Sequence, residues 1–409
     1  MTTHAETALE LIADGTVTTP RGFLAGAAKV GVRSDWDKLD VGIVYSEEPC
    51  VAAGVYTKNN LKGASLIVSM EHLSHGRAQA IVANSGCANC ATGEQGIQDA
   101  IKMAQLTGAR FGIDPHDVVV ASTGVIGTFL PMDRIAPGLD QMQMSPDGGL
   151  DFAKSIMTTD TRPKHVAVRT ANWSIGGVVK GVGMIHPNMA TMLCFVTTDA
   201  VIAQPFLEDV LRDAIDDSFN MIDVDNDTSP DDTVVVIANG LAGGNPIDDG
   251  HPEAELFRSA LRTVCIDLAK QMIVDAEGAT KMIEARVEGA ASVEDARKAA
   301  REIVVSIGVK TAIYGHDPNW GRIISAVGNS GAAMKTETTT LHLTTLDGGE
   351  LCLFRDGVPQ EYDPAAAKAC LAPRDVRMRV TMGLGDASAT AWGSDLTEDF
   401  VRLNSLYTT

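Results

Sequence analysis

The sequence predicts an α/β (α+β) fold of layered sheets flanked by helices, and three observations carry that reading. Buried-strand runs and helical periodicities arrive in clusters rather than in strict βαβ alternation. Of the 409 residues, 45% are hydrophobic, which is ample for a sizeable core in one large body or a few subdomains. The glycine-rich stretches "NGLAGGNP" and "GVGMIHP" lack both the G-x-G-x-x-G and the G-x-x-x-x-G-K-[ST] spacing, so a doubly wound nucleotide fold has no phosphate cradle here.

Taken in order, "VGIVYS", "AQAIVANSG", "DVVVAST" and "TVVVIANG" are short apolar runs bounded by Gly, Asn and Asp, as buried strands are. Helical spacing marks "GIQDAIKMAQLTGARFGI" and "QPFLEDVLRDAIDDSF", and a longer helix is expected through residues 251–286, "HPEAELFRSALRTVCIDLAKQMIVDAEGATKMIEAR". Ser292 and Asp295 have capping-box spacing ahead of "ARKAAREIVVSIG". The last fifth returns to strands: "TTTLHLTTLDGGELCLFRDG" reads as a hairpin about Asp347, Gly348 and Gly349, and "DVRMRVTMGLG" alternates. No repeat and no low-complexity linker divides the chain.

Charge narrows the function. Against 33 Lys and Arg stand 53 Asp and Glu, a formal net charge of −20 that repels nucleic acid and anionic membrane surfaces. The opening "MTTHAETALELIADG" has no basic segment leading into an apolar one, and no uncharged apolar stretch reaches the roughly 18 residues of a membrane span. The expectation is a cytoplasmic protein. The cysteines at 50, 87, 90, 194, 265, 352 and 370 are too scattered for a disulfide framework. Cys87 and Cys90 form a C-x-x-C without a second pair or a His at zinc spacing, so buried thiols are expected and no metal.

Three places invite chemistry. In "DVDNDTSPDD", Asp223, Asp225 and Asp227 occupy positions one, three and five of a calcium loop, but Thr228 replaces the glycine at six and Val234 the bidentate Glu at twelve. A structured Asx turn is the better reading. The run "VVVASTGVIG" ends a buried strand at Thr123 and Gly124, where an amide and a hydroxyl can face one point, as an oxyanion hole requires, although a plain strand-to-turn junction has the same residues. Thr191 follows Ala190 in "GMIHPNMATMLCFVTTDA". Freed as an N-terminal residue, a Thr carries nucleophile and base together, because its α-amine titrates near neutrality, at about 7.7–8.0. The small Ala190 leaves its carbonyl open to attack by that hydroxyl, yet Thr191 also fits as an ordinary strand residue.

The segment "KGVGMIHPNMATML" closely resembles the cleavage segment of the ornithine acetyltransferase family, also called bifunctional glutamate N-acetyltransferase/amino-acid acetyltransferase, of arginine biosynthesis. "TPRGFLAGAAKVGVR", "NSGCANCATG", "STGVIG", "MTTDTRPK", "DNDTSPDDTVVVIANG", "AEGATK", "YGHDPNWGRI" and "ATAWGSDLTEDFVRLNSLYTT" resemble that family's blocks in its order, so the likeness covers essentially the whole chain. It implies a layered α-β-β-α fold of the ornithine acetyltransferase/DmpA type with an N-terminal-nucleophile site. It also implies cleavage between Ala190 and Thr191 into an α chain, 1–190, and a β chain, 191–409.

By the same resemblance Thr191 is the nucleophile, and Thr123 and Gly124 form the oxyanion hole. Lys180 and Thr158, the latter chosen over Thr159, bind substrate. Glu277 is the carboxylate that meets the substrate's amino end, and Asn404 and Thr409 close the pocket. The implied reaction passes acetyl from N2-acetylornithine to glutamate through an acetyl-Thr191 ester, with no metal or cofactor. Acetyl-CoA serves as co-substrate where the enzyme also starts the cycle de novo, and α2β2 self-assembly is expected. The chain departs from the family pattern at Asn226, Pro230, Asp231 and Ser394 and at Cys87 and Cys90, none of them a proposed catalytic position. Two alternatives from other classes are a self-cleaving amidohydrolase or aminopeptidase with the same nucleophile and a non-catalytic binder on the same scaffold.

Overall fold

A computed structural model describes residues 9–186 and 192–406. Its organising element is the strand Val41–Tyr56, which carries a register shift between Tyr45 and Cys50. Before that irregularity it pairs with Phe23–Ala28 and, as well as briefly beyond it, with Arg77–Asn84, which runs parallel to Val118–Ser122. On the other side it pairs with Thr233–Ala238, and the order continues through Leu193–Thr198, Ser174–Lys180, Lys164–Arg169 and Glu10–Ile12. A bulge of this kind bends a strand and lets one sheet fold into two leaves.

Side-chain alternation shows how the leaves stack. Ile81, Ala83, Val119 and Ala121 of one leaf share a buried cluster with Leu193, Phe195, Val235 and Ile237 of the other. The intervening residues turn outward beneath helices. Ala80, Val82, Val118 and Val120 meet Met103 and Ala104 of the helix Gly93–Phe111. Cys194, Val196, Val234 and Val236 lie under the helices Gln204–Asp216 and Ala254–Val274. The layers are α-β-β-α, as the resemblance implies.

A second sheet holds Ile222–Asp223, Ala387–Ser394, Met282–Ala290, Asp375–Thr381, Thr340–Thr344, Glu350–Arg355 and Val358–Pro359, in that order. The hairpin about Asp347 forms, with Thr344 opposite Glu350. Ser292 caps the helix Val293–Val305 by accepting the Asp295 amide at 3.1 Å.

One expectation is corrected. The helix beginning at Ala254 ends at Val274 rather than near residue 286, because Gly278 takes φ +66° and "KMIEAR" feeds the strand Met282–Ala290. That strand sits between Asp375–Thr381 and Ala387–Ser394 with Ile283, Ala285 and Val287 fully buried. A short apolar run fits both periods locally, and pairing on two sides decides for the strand. Among the described residues no helix is long and apolar enough to cross a membrane.

Candidate active site

The site forms where the two leaves end. Thr123 follows the strand Val118–Ser122, is 5% exposed, and donates its amide to the Asn84 carbonyl at 3.1 Å. Gly124 has φ +131°, and a Cβ there would fall on the backbone of Gly86 and Cys87, 2.6 Å from the Cys87 nitrogen. Only glycine fits a position that combines this conformation with this approach. The "TG" pair is thus a fixed backbone corner rather than a plain turn.

Lys180 ends the opposite leaf's strand Ser174–Lys180 and is 2% exposed. Its ammonium donates to Thr123 Oγ1 at 3.2 Å, which leaves the Thr123 hydroxyl hydrogen available to the cavity. Burial pulls the Lys180 pKa below the ordinary lysine range, and the negative charges of Asp160, Asp232 and Glu277 oppose that pull.

Glu277 lines the same cavity. Its amide donates to the Val182 carbonyl at 2.9 Å, tying it to the chain just beyond Lys180. Glu277 Oε1 accepts from the Thr159 hydroxyl at 2.7 Å and Oε2 from Asn404 Nδ2 at 3.0 Å. Asn404 comes from the terminal helix Glu398–Leu406. Gly183 leaves the room that Glu277 fills, since a Cβ there would lie 2.7 Å from Oε2.

Thr123, Gly124, Thr158, Lys180, Glu277 and Asn404, far apart in the sequence, therefore line one cavity of about 120 Å³. Thr158 and Thr159 both reach its wall, Thr158 with its amide held by Asp160 Oδ2 at 3.0 Å. Ala190, Thr191 and Thr409 lie outside the described residues. Met192, next in the chain after Thr191, donates its amide to Asp232 Oδ1 at 2.9 Å, and Leu193 pairs with Lys180 in the sheet.

Sequence reasoning passed over two parts of this site. Part of the wall is the acidic turn, contributing Asp225, Asp227, Ser229 and Asp231. Asp225 accepts the amides of Met184, Ile185 and Asp227 at 2.6, 2.9 and 3.2 Å, the pattern of a structured Asx turn. Asp223 is paired with the buried Lys310 at 2.9 Å. The second part is Asp160 with Lys164, both fully buried behind the cavity, whose signal in the sequence was only their place in "MTTDTRPK".

Burial raises the Asp225 carboxyl to about 6, against the three amides that favour its charged form. The fold therefore holds a proton there that the unfolded chain has released above its ordinary 3.8. Stability from this group rises as pH falls from about 6 toward 4. Asp225→Asn removes the titration, so wild type minus variant Tm should increase as pH is lowered through that window; a constant difference contradicts the assignment.

The profile of the ArgJ family matches residues 24–409. The arginine biosynthesis bifunctional protein ArgJ of Symbiobacterium thermophilum is 48% identical over 408 residues, covering 98% of this chain and 100% of its own. The crystal structure of the arginine biosynthesis bifunctional protein from Bacillus halodurans matches with a TM-score of 0.50 at 42% identity, over 52% of this chain and 98% of its own. The ornithine acetyltransferase of Mycobacterium tuberculosis, solved with ornithine, matches with a TM-score of 0.42 at 34% identity, over 46% of this chain and 100% of its own.

Proposed function

Because the chain belongs to the ArgJ family, we propose that it is an acetyltransferase that moves acetyl from N2-acetylornithine to glutamate, giving ornithine and N-acetylglutamate. One observation carries the reading: a buried cation on the oxyanion-corner Thr123 and a carboxylate held by two neutral donors line one small cavity. A zwitterionic amino acid has complementary ends, an α-carboxylate for Lys180 and an amino group for Glu277.

The mechanism follows from chemistry. After the chain parts between Ala190 and Thr191, the Thr191 hydroxyl attacks the acetyl carbonyl and its proton passes to the Thr191 α-amine. Negative charge gathers on the carbonyl oxygen at Thr123 and Gly124, whose donors do not have to reorganise to receive it. The carbon–nitrogen bond to ornithine breaks, the proton returns to the leaving amine, and an acetyl ester remains on Thr191. Glutamate's amine then attacks that ester, and the same groups act in reverse. Donation by acetyl-CoA enters the same cycle at the ester.

The test follows ornithine release from N2-acetylornithine with and without glutamate, alongside formation of N-acetylglutamate. Release should depend on glutamate, in equal amounts with N-acetylglutamate. Release of ornithine and free acetate without glutamate would make the protein a hydrolase, and no release at all would remove acetyl transfer.

A further inference from the structure

We propose that Asp160 and Lys164 are positioning residues of this site, one buried ion pair that holds Thr158, Lys180 and the approach to Glu277 in a single frame. The proposal rests on reading the cavity as the acetyl-transfer site.

Neither side chain has any exposed surface, and neither lines the cavity. Asp160 Oδ1 accepts from Lys164 Nζ at 2.6 Å and from the Gly181 amide at 2.9 Å, and its Oδ2 accepts the Thr158 amide at 3.0 Å. One carboxylate thus fixes the residue after Lys180 and the backbone of Thr158. Lys164 continues to Asp275 Oδ2 at 2.6 Å, and Asp275 also accepts the Thr161 amide at 3.1 Å and the Thr161 hydroxyl. Asp275 follows the helix Ala254–Val274 directly and stands two residues before Glu277. The pair therefore joins three separate chain segments, each carrying a cavity residue.

The pair also shapes the field at Lys180. Two ammoniums, Lys164 and Lys180, act on the single charge of Asp160; burial works to raise that carboxyl, and the lysines outweigh it and hold it down at about 2. Around Lys180 stand Asp160 and Glu277 with negative charge to offer, Asp231 and Asp232, whose burial raises their carboxyls well above the ordinary range, and Lys164 and Lys38 with positive charge. Lys180 is useful to a carboxylate substrate only while it is charged. Asp160 favours that charge and Lys164 opposes it, so their removal acts in opposite directions. A purely structural role gives no such difference in sign.

The experiment is the pH profile of kcat/KM for glutamate-dependent ornithine release in wild type, Asp160→Asn, Lys164→Met and Lys164→Arg. The alkaline limb should move to lower pH in Asp160→Asn and to higher pH in Lys164→Met, each by roughly one unit or less. Lys164→Arg, which keeps the charge, should return the limb to its wild-type place. Limbs that stay fixed, or that move together, overturn the proposal. If Lys164→Met does not fold, Asp160→Asn against wild type decides alone, and an unmoved limb is then sufficient to overturn it. A wild type with no glutamate-dependent release would instead remove the transfer reading on which the proposal rests.

Discussion

Thr191→Ala is expected to lower glutamate-dependent ornithine release by at least about 10⁴-fold, the scale on which losing a covalent nucleophile falls. On the proposed mechanism the substitution removes the hydroxyl that carries the acetyl group and also the group that cuts the chain. The second loss matters as much as the first: an uncut chain keeps residue 191 in an amide, and the α-amine that serves as base never appears. The measurement is initial rate at saturating substrate, with melting temperature beside it to confirm that the variant is folded. Activity within about tenfold of wild type would contradict the assignment.

Gly124→Ala is expected to cost about 10²–10³ in kcat, the range for losing one oxyanion donor. At φ +131° a Cβ is strained wherever it sits, and at this position it would also meet the Gly86 and Cys87 backbone. Neither neighbour can rotate away as a side chain could. Cys87 is bridged to both Thr123 and Val125, and the Ala88 amide donates to the Val125 carbonyl at 3.0 Å, so the two turns must shift together. Moving them displaces the Thr123 hydroxyl from Lys180. The loss should therefore appear in kcat more than in KM, since the oxyanion exists only in the transition state. A wild-type kcat in Gly124→Ala would show that this corner holds no developing charge.

Much of this was legible in the sequence wherever a local rule decides the outcome. Short apolar runs bounded by Gly, Asn and Asp identified the inner strands, Ser292 and Asp295 marked a helix start, and "VVVASTGVIG" showed a strand ending at Thr123 while leaving open whether a plain turn followed. Long-range pairing was not legible. "KMIEAR" satisfies a helix until it is placed between Asp375–Thr381 and Ala387–Ser394, and nothing in its own stretch of sequence says so. Buried ion pairs were not legible either. Nothing in "MTTDTRPK" marks Asp160 and Lys164 as buried, and only the fold brings Asp275, 111 positions beyond Lys164, to join them in the interior. Burial of such a triad also explains why so small a cavity can hold opposite charges apart: the frame behind it is fastened by ion pairs that water does not screen.

The central claim is that the chain is cut before Thr191 to free an N-terminal nucleophile, and intact-mass spectrometry of the purified wild type beside Thr191→Ala tests it most directly. Two fragments meeting between Ala190 and Thr191 in the wild type, and a single uncut chain in the variant, are the predicted result. A wild type of one unbroken mass that nonetheless transfers acetyl would contradict the account, because Thr191 would then have no free amine to act as its base.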